Sequence, residues 1–278
     1  MSAYRFCRTD DIELLVDALN RCWAPHFPGE PLMTPAAFKR SIRDLQVWCS
    51  SCMVAFAGAD PIGVLIGAKR PTGTLIHKIA VHPDHLRQGH GWHLLTSLSS
   101  KLAILGPPRI AAQVPVSLQP ACELFRACGY VDETALTDYM FEGESRLTTE
   151  IAGTFVIPIS VGDLEANGLL DEKEPKCCWE RSAGTLRARA DEITGLAVAT
   201  DEQIEAYILY MQPGDIMALG SFVDDSGARV KLLLSRIGAR RVRFPKVHPA
   251  EISSQLLENV GFEPIQRHSL YATTARPE

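Results

Sequence analysis

The sequence predicts an α/β (α+β) chain organised as two successive units. Three observations carry the prediction. Windows with helical apolar spacing alternate with short β-like runs along most of the chain. One stretch, Val81 to Leu95, reads as strand, glycine-rich turn and helix in immediate succession. The order of elements in the first half returns, weakened, in the second.

Asp10 to Trp23 reads as a helix that Thr9 or Asp10 can cap, with Ile12, Leu15, Val16, Leu19 and Trp23 on one apolar stripe. A proline-broken loop, Ala24 to Met33, follows. Thr34 caps a second helix to Leu45, and Pro35 takes its first position, where a missing N–H costs nothing. Met53–Ala57 and Ile62–Ala68 read as a hairpin across Gly58-Ala59-Asp60-Pro61. Thr74–Val81 is a third strand feeding the glycine turn. Trp92–Leu105 is the helix after it, Arg109–Val114 a strand, Gln119–Cys128 a helix stopped by Gly129, and Thr137–Phe141 a closing strand. The order is α-α-β-β-β-α-β-α-β.

The glycine turn has a physical meaning. A helix N-terminus leaves several backbone N–H groups unpaired, and the helix dipole adds partial positive charge, so the place favours phosphate. Glycine has no Cβ to hold a ligand off. Val81, Pro83, Gly89, Gly91, Leu94 and Leu95 resemble motif A of the GNAT (GCN5-related N-acetyltransferase) superfamily. The Gln/Arg expected three residues before Gly89 is Leu86, and Arg87 and Gln88 stand beside it. Cys122 to Tyr130 resembles motif B, a helix ending in Leu-Tyr-x-x-x-Gly-Phe. Within each unit the resemblance implies a mixed, mostly antiparallel central sheet flanked by helices.

Gln255 to Phe262 echoes Glu123 to Tyr130. Ile193–Thr200 and Ile204–Tyr210 echo the hairpin, Ile216–Val223 the strand before the turn, and Lys231–Gly238 the helix after it. The division expected is therefore 1–145, an acyl-CoA-binding GNAT domain, and 146–278, a degenerate GNAT-like domain. In the second unit the turn has decayed to Asp224-Asp225-Ser226-Gly227-Ala228-Arg229, and its carboxylates would repel a pyrophosphate. Asp163 to Trp179 reads as loop and weak helix.

Composition sets bounds. The 278 residues carry a net charge of −5, which argues against a general nucleic-acid or membrane-surface partner. A polar N-terminus and the lack of a long apolar run point to a cytoplasmic protein. Eight dispersed cysteines read as buried thiols. Cys49-Ser-Ser-Cys52 has metal or redox spacing but no second ligand pair, so no metal is expected. His77, His82, His85, His90 and His93 cluster in sequence, and a metal site is the alternative reading of that cluster. Arg236, Arg240, Arg241, Arg243 and Lys246 form a basic run, read as solvated surface or as a contact for a carboxylate or phosphate.

The resemblance implies transfer of an acetyl or other short acyl group from acyl-CoA, a co-substrate, to an amine of a small molecule or peptide. Main chain at Ile79, Ala80 and Val81 would polarise the thioester carbonyl. Arg87, Gln88, Gly89, His90, Gly91 and Trp92 would hold the pyrophosphate. Many relatives carry a glutamate base on the third strand. Here no carboxylate lies between Asp60 and Asp84, which leaves His77 as the candidate base or as a hydrogen-bonded core or surface histidine. Motif B's tyrosine, an acid for the departing thiolate, falls on Phe125; Tyr130 and Tyr139 are near in sequence. Trp23, His26 and Phe27 read either as core or as a border of the acceptor pocket, and Trp179-Glu180-Arg181 is equally open. The alternative is a non-catalytic acyl-CoA-binding or regulatory protein; nucleotide-binding α/β and metalloprotein readings stand behind it. Monomer and homodimer both remain open.

Overall fold

The computed structural model describes residues 2–143, 151–170 and 177–275. The expected boundary at 145/146 and part of Asp163–Trp179 lie outside the described residues. The chain forms two compact units, Met1–Thr134 with Ser269–Glu278, and Ala135–His268. This division differs from a single cut at 145/146. Two long strands, β6 (Val131–Glu142) and β12 (Phe262–Thr274), each lend one end to one unit and the other end to the second. Local periodicity carries no signal for such non-local pairing.

Unit 1 begins with β1 (Ser2–Phe6), then α1 (Ile12–Cys22), α2 (Pro35–Leu45), β2 (Met53–Ala57), β3 (Asp60–Arg70), β4 (Gly73–Val81), α3 (His90–Leu105), β5 (Arg109–Pro115) and α4 (Gln119–Ala127). The sequence reading had no β1. Its half-polar Ser-Ala-Tyr-Arg-Phe gives little apolar signal, yet it pairs antiparallel with β2 from Ser2↔Ala57 to Phe6↔Met53. The sheet order is β1-β2-β3-β4-β5, followed by the C-terminal end of β12. All pairs are antiparallel up to β4; β4 and β5 run parallel. Thr34 caps α2 as expected, its Oγ1 accepting the Ala37 N–H at 3.1 Å.

Leu94, Leu95, Leu98 and Leu102, the stripe of α3, are all 3% exposed or less and pack on Ile76, Ile110 and Ala112 of the sheet. Each such side chain contributes about 1.5–3 kcal/mol by leaving water, and together they fix the N-terminus of α3 at the carboxyl end of β4. The Cys49–Cys52 pair belongs to the interior. Both residues are buried, and burial pushes the Cys52 thiol well above its usual range.

Unit 2 holds the C-terminal end of β6, then β7 (Phe155–Pro158), α5 (Val161–Ala166), α6 (Ala183–Ala188), β8 (Thr194–Ala199), β9 (Ile204–Met211), β10 (Asp215–Ser221), α7 (Ala228–Ile237), β11 (Arg241–Val247), α8 (Ser254–Val260) and the first half of β12. Its order is β12-β6-β11-β10-β9-β8-β7, with β10 and β11 parallel. Of the basic run, Arg236 lies on α7 and Arg240 just before β11, while Arg241, Arg243 and Lys246 lie on that strand. Its alternate residues Val242 and Phe244 are buried in the core, while Arg241 pairs with Glu142, Arg243 with Asp138 and Lys246 with Glu180. Asp138 is fully buried. Burial alone would raise its pKa, but His268, Arg243 and the Lys246 N–H together hold it well below the ordinary carboxylate range.

Candidate functional site

The parallel ladder between β4 and β5 is short. It runs Thr74↔Ile110, Leu75↔Ala111, Ile76↔Ala112 and stops. Beyond Ile76 the two strands part, which frees one edge of β4 at its carboxyl end. Openings of this kind, at the carboxyl ends of neighbouring parallel strands, are where open sheets bind ligands. Ile79, Ala80 and Val81, the expected main-chain contacts, lie on this freed segment, and His77 is its first residue.

The geometry of β4 departs from simple alternation at His77. Ile66 of β3 faces Lys78, and Gly67 faces Ile76, so His77 is the extra residue of a bulge. Strict alternation put Ile76 and Ile79 on opposite faces. With the bulge between them, both pack against the core beside α3. Leu75 and Ile79, which strict alternation would place on one face, are therefore on opposite faces. His77 is half-buried, at the point where the sheet opens.

The glycine turn follows. Arg87 (φ 60°) and Gly89 (φ 83°) both take left-handed backbone, and α3 starts at His90. A Cβ built on Gly89 would meet nothing within 4 Å, so open space lies before the first turn of the helix. Among the described residues no side chain caps α3, and its first N–H groups have no intrahelical acceptor. Gly91 has a packing role too. A Cβ there would come within 2.9 Å of Leu124, so this glycine also admits α4. Arg87 and Gln88 are exposed, Arg87 lying 3.9 Å from Glu123 of α4, and Trp92 is 49% exposed on the first turn.

His90 is 6% exposed, with Nδ1 2.6 Å from the Tyr4 hydroxyl and Nε2 buried without a hydrogen-bond partner. Burial first, then the neighbouring His85 and His93, push its pKa below the usual value, which favours the neutral ring. The histidines do not converge as ligands. Their closest ring pairs, His82–His85 and His85–His90, have centroids 6.0 and 6.2 Å apart, and among the described residues no group of His, Cys, Asp or Glu is arranged to hold a metal ion.

Phe125, in the motif-B position, is 2% exposed, between the edge of Tyr130 and the face of Tyr271 from β12. Tyr130 is itself buried, and burial raises its phenol well above the ordinary range. Tyr139 belongs to unit 2. Tyr271 escaped the sequence reading because its strand reaches unit 1 from the far end of the chain.

The loop between α1 and α2 supplies residues that sequence reasoning missed or left open. His26 Nε2 lies 2.8 Å from the Val81 carbonyl oxygen. Glu30 brings a carboxylate to β4, 3.4 Å from Lys78 Nζ. The search for a carboxylate between Asp60 and Asp84 could not find it, since Glu30 lies 48 residues from Lys78 in sequence.

Unit 2 has the same turn in a closed state. Ser226 (φ 54°) and Gly227 (φ 85°) precede α7, but here the Asp225 carboxylate accepts the N–H groups of Gly227, Ala228 and Arg229 at 2.9–3.1 Å. Burial would raise this carboxyl; the Arg229 guanidinium and the turn N–H groups hold it below its usual range. A side chain of the protein thus takes the donors that an exogenous anion would need. The parallel pairing of β10 and β11 is confined to Asp215↔Arg243. Beyond it the buried Arg181 donates to the carbonyls of Pro245 and Lys246 and pairs with both oxygens of Glu251 at 2.5 and 2.7 Å. Arg181 is therefore interior structure in this unit, while Trp179 and Glu180 are half-buried.

Residues 12–130 match the family model of the acetyltransferase (GNAT) family. That stretch, in unit 1, is the part of the chain similar to the GNAT family. The chain's fold is that of tandem GNAT proteins. A tandem GNAT protein from the clavulanic acid biosynthesis pathway superposes with a TM-score of 0.68 at 15% identity, covering 100% of both chains. A GCN5-related N-acetyltransferase from Sphaerobacter thermophilus gives 0.71 at 14% identity, covering 99% of this chain and 96% of that one. A putative acetyltransferase from Pyrococcus horikoshii gives 0.63 at 17% identity, over 100% and 90%. No curated protein matches the sequence. Among the described residues no helix is long and apolar enough to cross a membrane. The match over residues 12–130 supports an enzyme of the acetyltransferase kind, acting by acyl transfer.

Proposed function

We propose that unit 1 is an N-acyltransferase. It takes an acetyl or short acyl group from acyl-CoA and passes it to an amine, while unit 2 binds no CoA. The observation that carries this reading is the uncapped N-terminus of α3, with open space before Gly89, at the carboxyl end of the parting strands β4 and β5. Such a terminus suits the two phosphates of CoA, and the freed edge of β4 suits the pantetheine arm. Main chain at Ile79, Ala80 and Val81 would donate to the thioester oxygen as it gains charge. The amine nitrogen attacks the carbonyl carbon, the C–N bond forms, and the C–S bond breaks as the thiolate leaves.

The attacking amine must shed a proton. His77 stands at the bulge where the β4–β5 ladder ends, and an imidazole nitrogen can accept such a proton. We assign it as the base. Phe125 can give no proton, so the thiolate leaves unassisted by that position. Its enclosure also suits the second reading, a protein that binds acyl-CoA without turnover. The test is calorimetric titration with acetyl-CoA, followed by thiol release against a panel of amines. One tight site with amine-dependent thiol release supports the enzyme. Binding with no release from any amine supports the second reading, and no binding overturns both.

A further inference from the structure

The α1–α2 loop carries a group of side chains that acyl transfer at the β4 edge leaves unused. Trp23 Nε1 donates to Glu30 Oε2 at 3.0 Å, and the Trp23 ring stacks on Phe27 with centroids 4.3 Å apart and planes at 22°. Lys78 of β4 reaches into this group. Its Nζ lies 3.8 Å from the centroid of a Trp23 ring and 3.4 Å from Glu30 Oε2. The cluster therefore already holds a primary ammonium between a π face and a carboxylate, the two features that recognise such a cation. The Lys78 side chain is 16% exposed, whereas Glu30 is 49% exposed and open to solvent.

Position adds to chemistry. Lys78 is two residues past Ile76, where the β4–β5 ladder ends, and the same loop grips the Val81 carbonyl through His26. The ammonium thus sits along the freed segment of β4, beside the place assigned to the thioester.

We propose that Trp23, Phe27 and Glu30 dock the ammonium form of a primary alkyl amine, the acceptor, and that Lys78 holds the place until the acceptor displaces it. What becomes of the docked amine rests on the acyl-transfer reading; the ammonium site stands on the geometry of the loop alone. An alkyl amine of pKa ~10.4 is almost wholly cationic at neutral pH, so the site recognises the abundant form. After docking, the proton passes to the base, nitrogen attacks, and CoA departs as thiolate. An acceptor that carries a carboxylate as well as its amine is repelled by Glu30.

Calorimetric titration of the full chain with 1,4-diaminobutane tests the site. Lys78→Met removes the resident ammonium and keeps an apolar stem on Trp23; it binds the diamine about ten-fold tighter than wild type. Adding Glu30→Gln cancels that gain, and 4-aminobutanoate gains less than about two-fold from Lys78→Met. No gain in a folded Lys78→Met protein, or a gain that survives Glu30→Gln, overturns the proposal. Lys78→Gln replaces Lys78→Met should the latter not fold. Thiol release from acetyl-CoA separates the two levels. Diamine that binds in this pattern without thiol release sinks acyl transfer and leaves the ammonium site. Thiol release with a cationic amine whose KM is unmoved by Glu30→Gln sinks the ammonium site and leaves the transferase.

Discussion

Gly89→Glu places a carboxylate before the first turn of α3, and the structure gives its two costs separately. The backbone at Gly89 has φ 83° and ψ −2°, which an L-residue adopts at about 1–2 kcal/mol. A Cβ there meets nothing within 4 Å, so no clash adds to that cost. The second cost falls on CoA. A unit negative charge about 4 Å from one phosphate charge repels it by roughly 4 kcal/mol at an effective dielectric of 20. Salt screening and movement of an exposed side chain reduce this, and about 2.7 kcal/mol remains a fair figure, or 100-fold in Kd. Gly89→Ala is the control: it pays the backbone cost without the charge. Both variants should unfold at lower denaturant by a similar margin, but Gly89→Ala should bind CoA within about ten-fold of wild type and Gly89→Glu about 100-fold more weakly. Calorimetry with CoA reads the affinities. A folded Gly89→Glu protein with wild-type affinity refutes the phosphate assignment.

Three further outcomes follow from the geometry. His77→Gln should flatten the acid limb of the pH–rate profile and leave the acetyl-CoA Kd unchanged; a profile identical to wild type removes His77 as base. Asp225→Ala deletes three N–H acceptor contacts and an ion pair at α7 and should cost about 1–2 kcal/mol of unit 2 stability in urea, with CoA affinity unmoved; a change in CoA affinity would mean that unit 2 takes part in binding. Asp138→Asn should cost about 3 kcal/mol near neutrality, since it leaves Arg243 and His268 without their shared carboxylate. The folded carboxyl titrates below the unfolded one, so its stabilisation is full above pH ~4 and is lost as pH falls below that. Urea midpoints between pH 2 and 5 should therefore depend less on pH in Asp138→Asn, and equal slopes would exclude Asp138 as the titrating group.

Much of unit 1 was legible because its signals are local. The α3 stripe, the Thr34-Pro35 start of α2 and the Gly58–Pro61 turn are short-range features, and each element formed within a few residues of its expected ends. β1 was not legible, since it is held by pairing with β2 some 50 residues away rather than by an apolar pattern of its own. β11 was hidden by its arginines, whose charges are met by Glu142 and Asp138 from a strand about 100 residues earlier. At the site, the glycine turn and the strand before it could be read, but the bulge could not. No residue type marks His77 as the extra residue; the register between β3 and β4 does. Glu30 and Tyr271 were out of reach for the same reason, because each arrives at unit 1's site or core from a segment that is distant in sequence. The two aspartates of the second turn were read as a repulsive pair. The structure sharpens this: Asp225 has folded back onto the helix N-terminus, while Asp224 stays exposed.

The most direct test of the central claim is a crystal structure of the full chain with acetyl-CoA. The account predicts one molecule per chain, its pyrophosphate oxygens about 3 Å from the main-chain nitrogens at the start of α3, and its thioester beside Ile79 to Val81. Acetyl-CoA at the Gly227 turn, in both units, or away from the β4–β5 opening would contradict it.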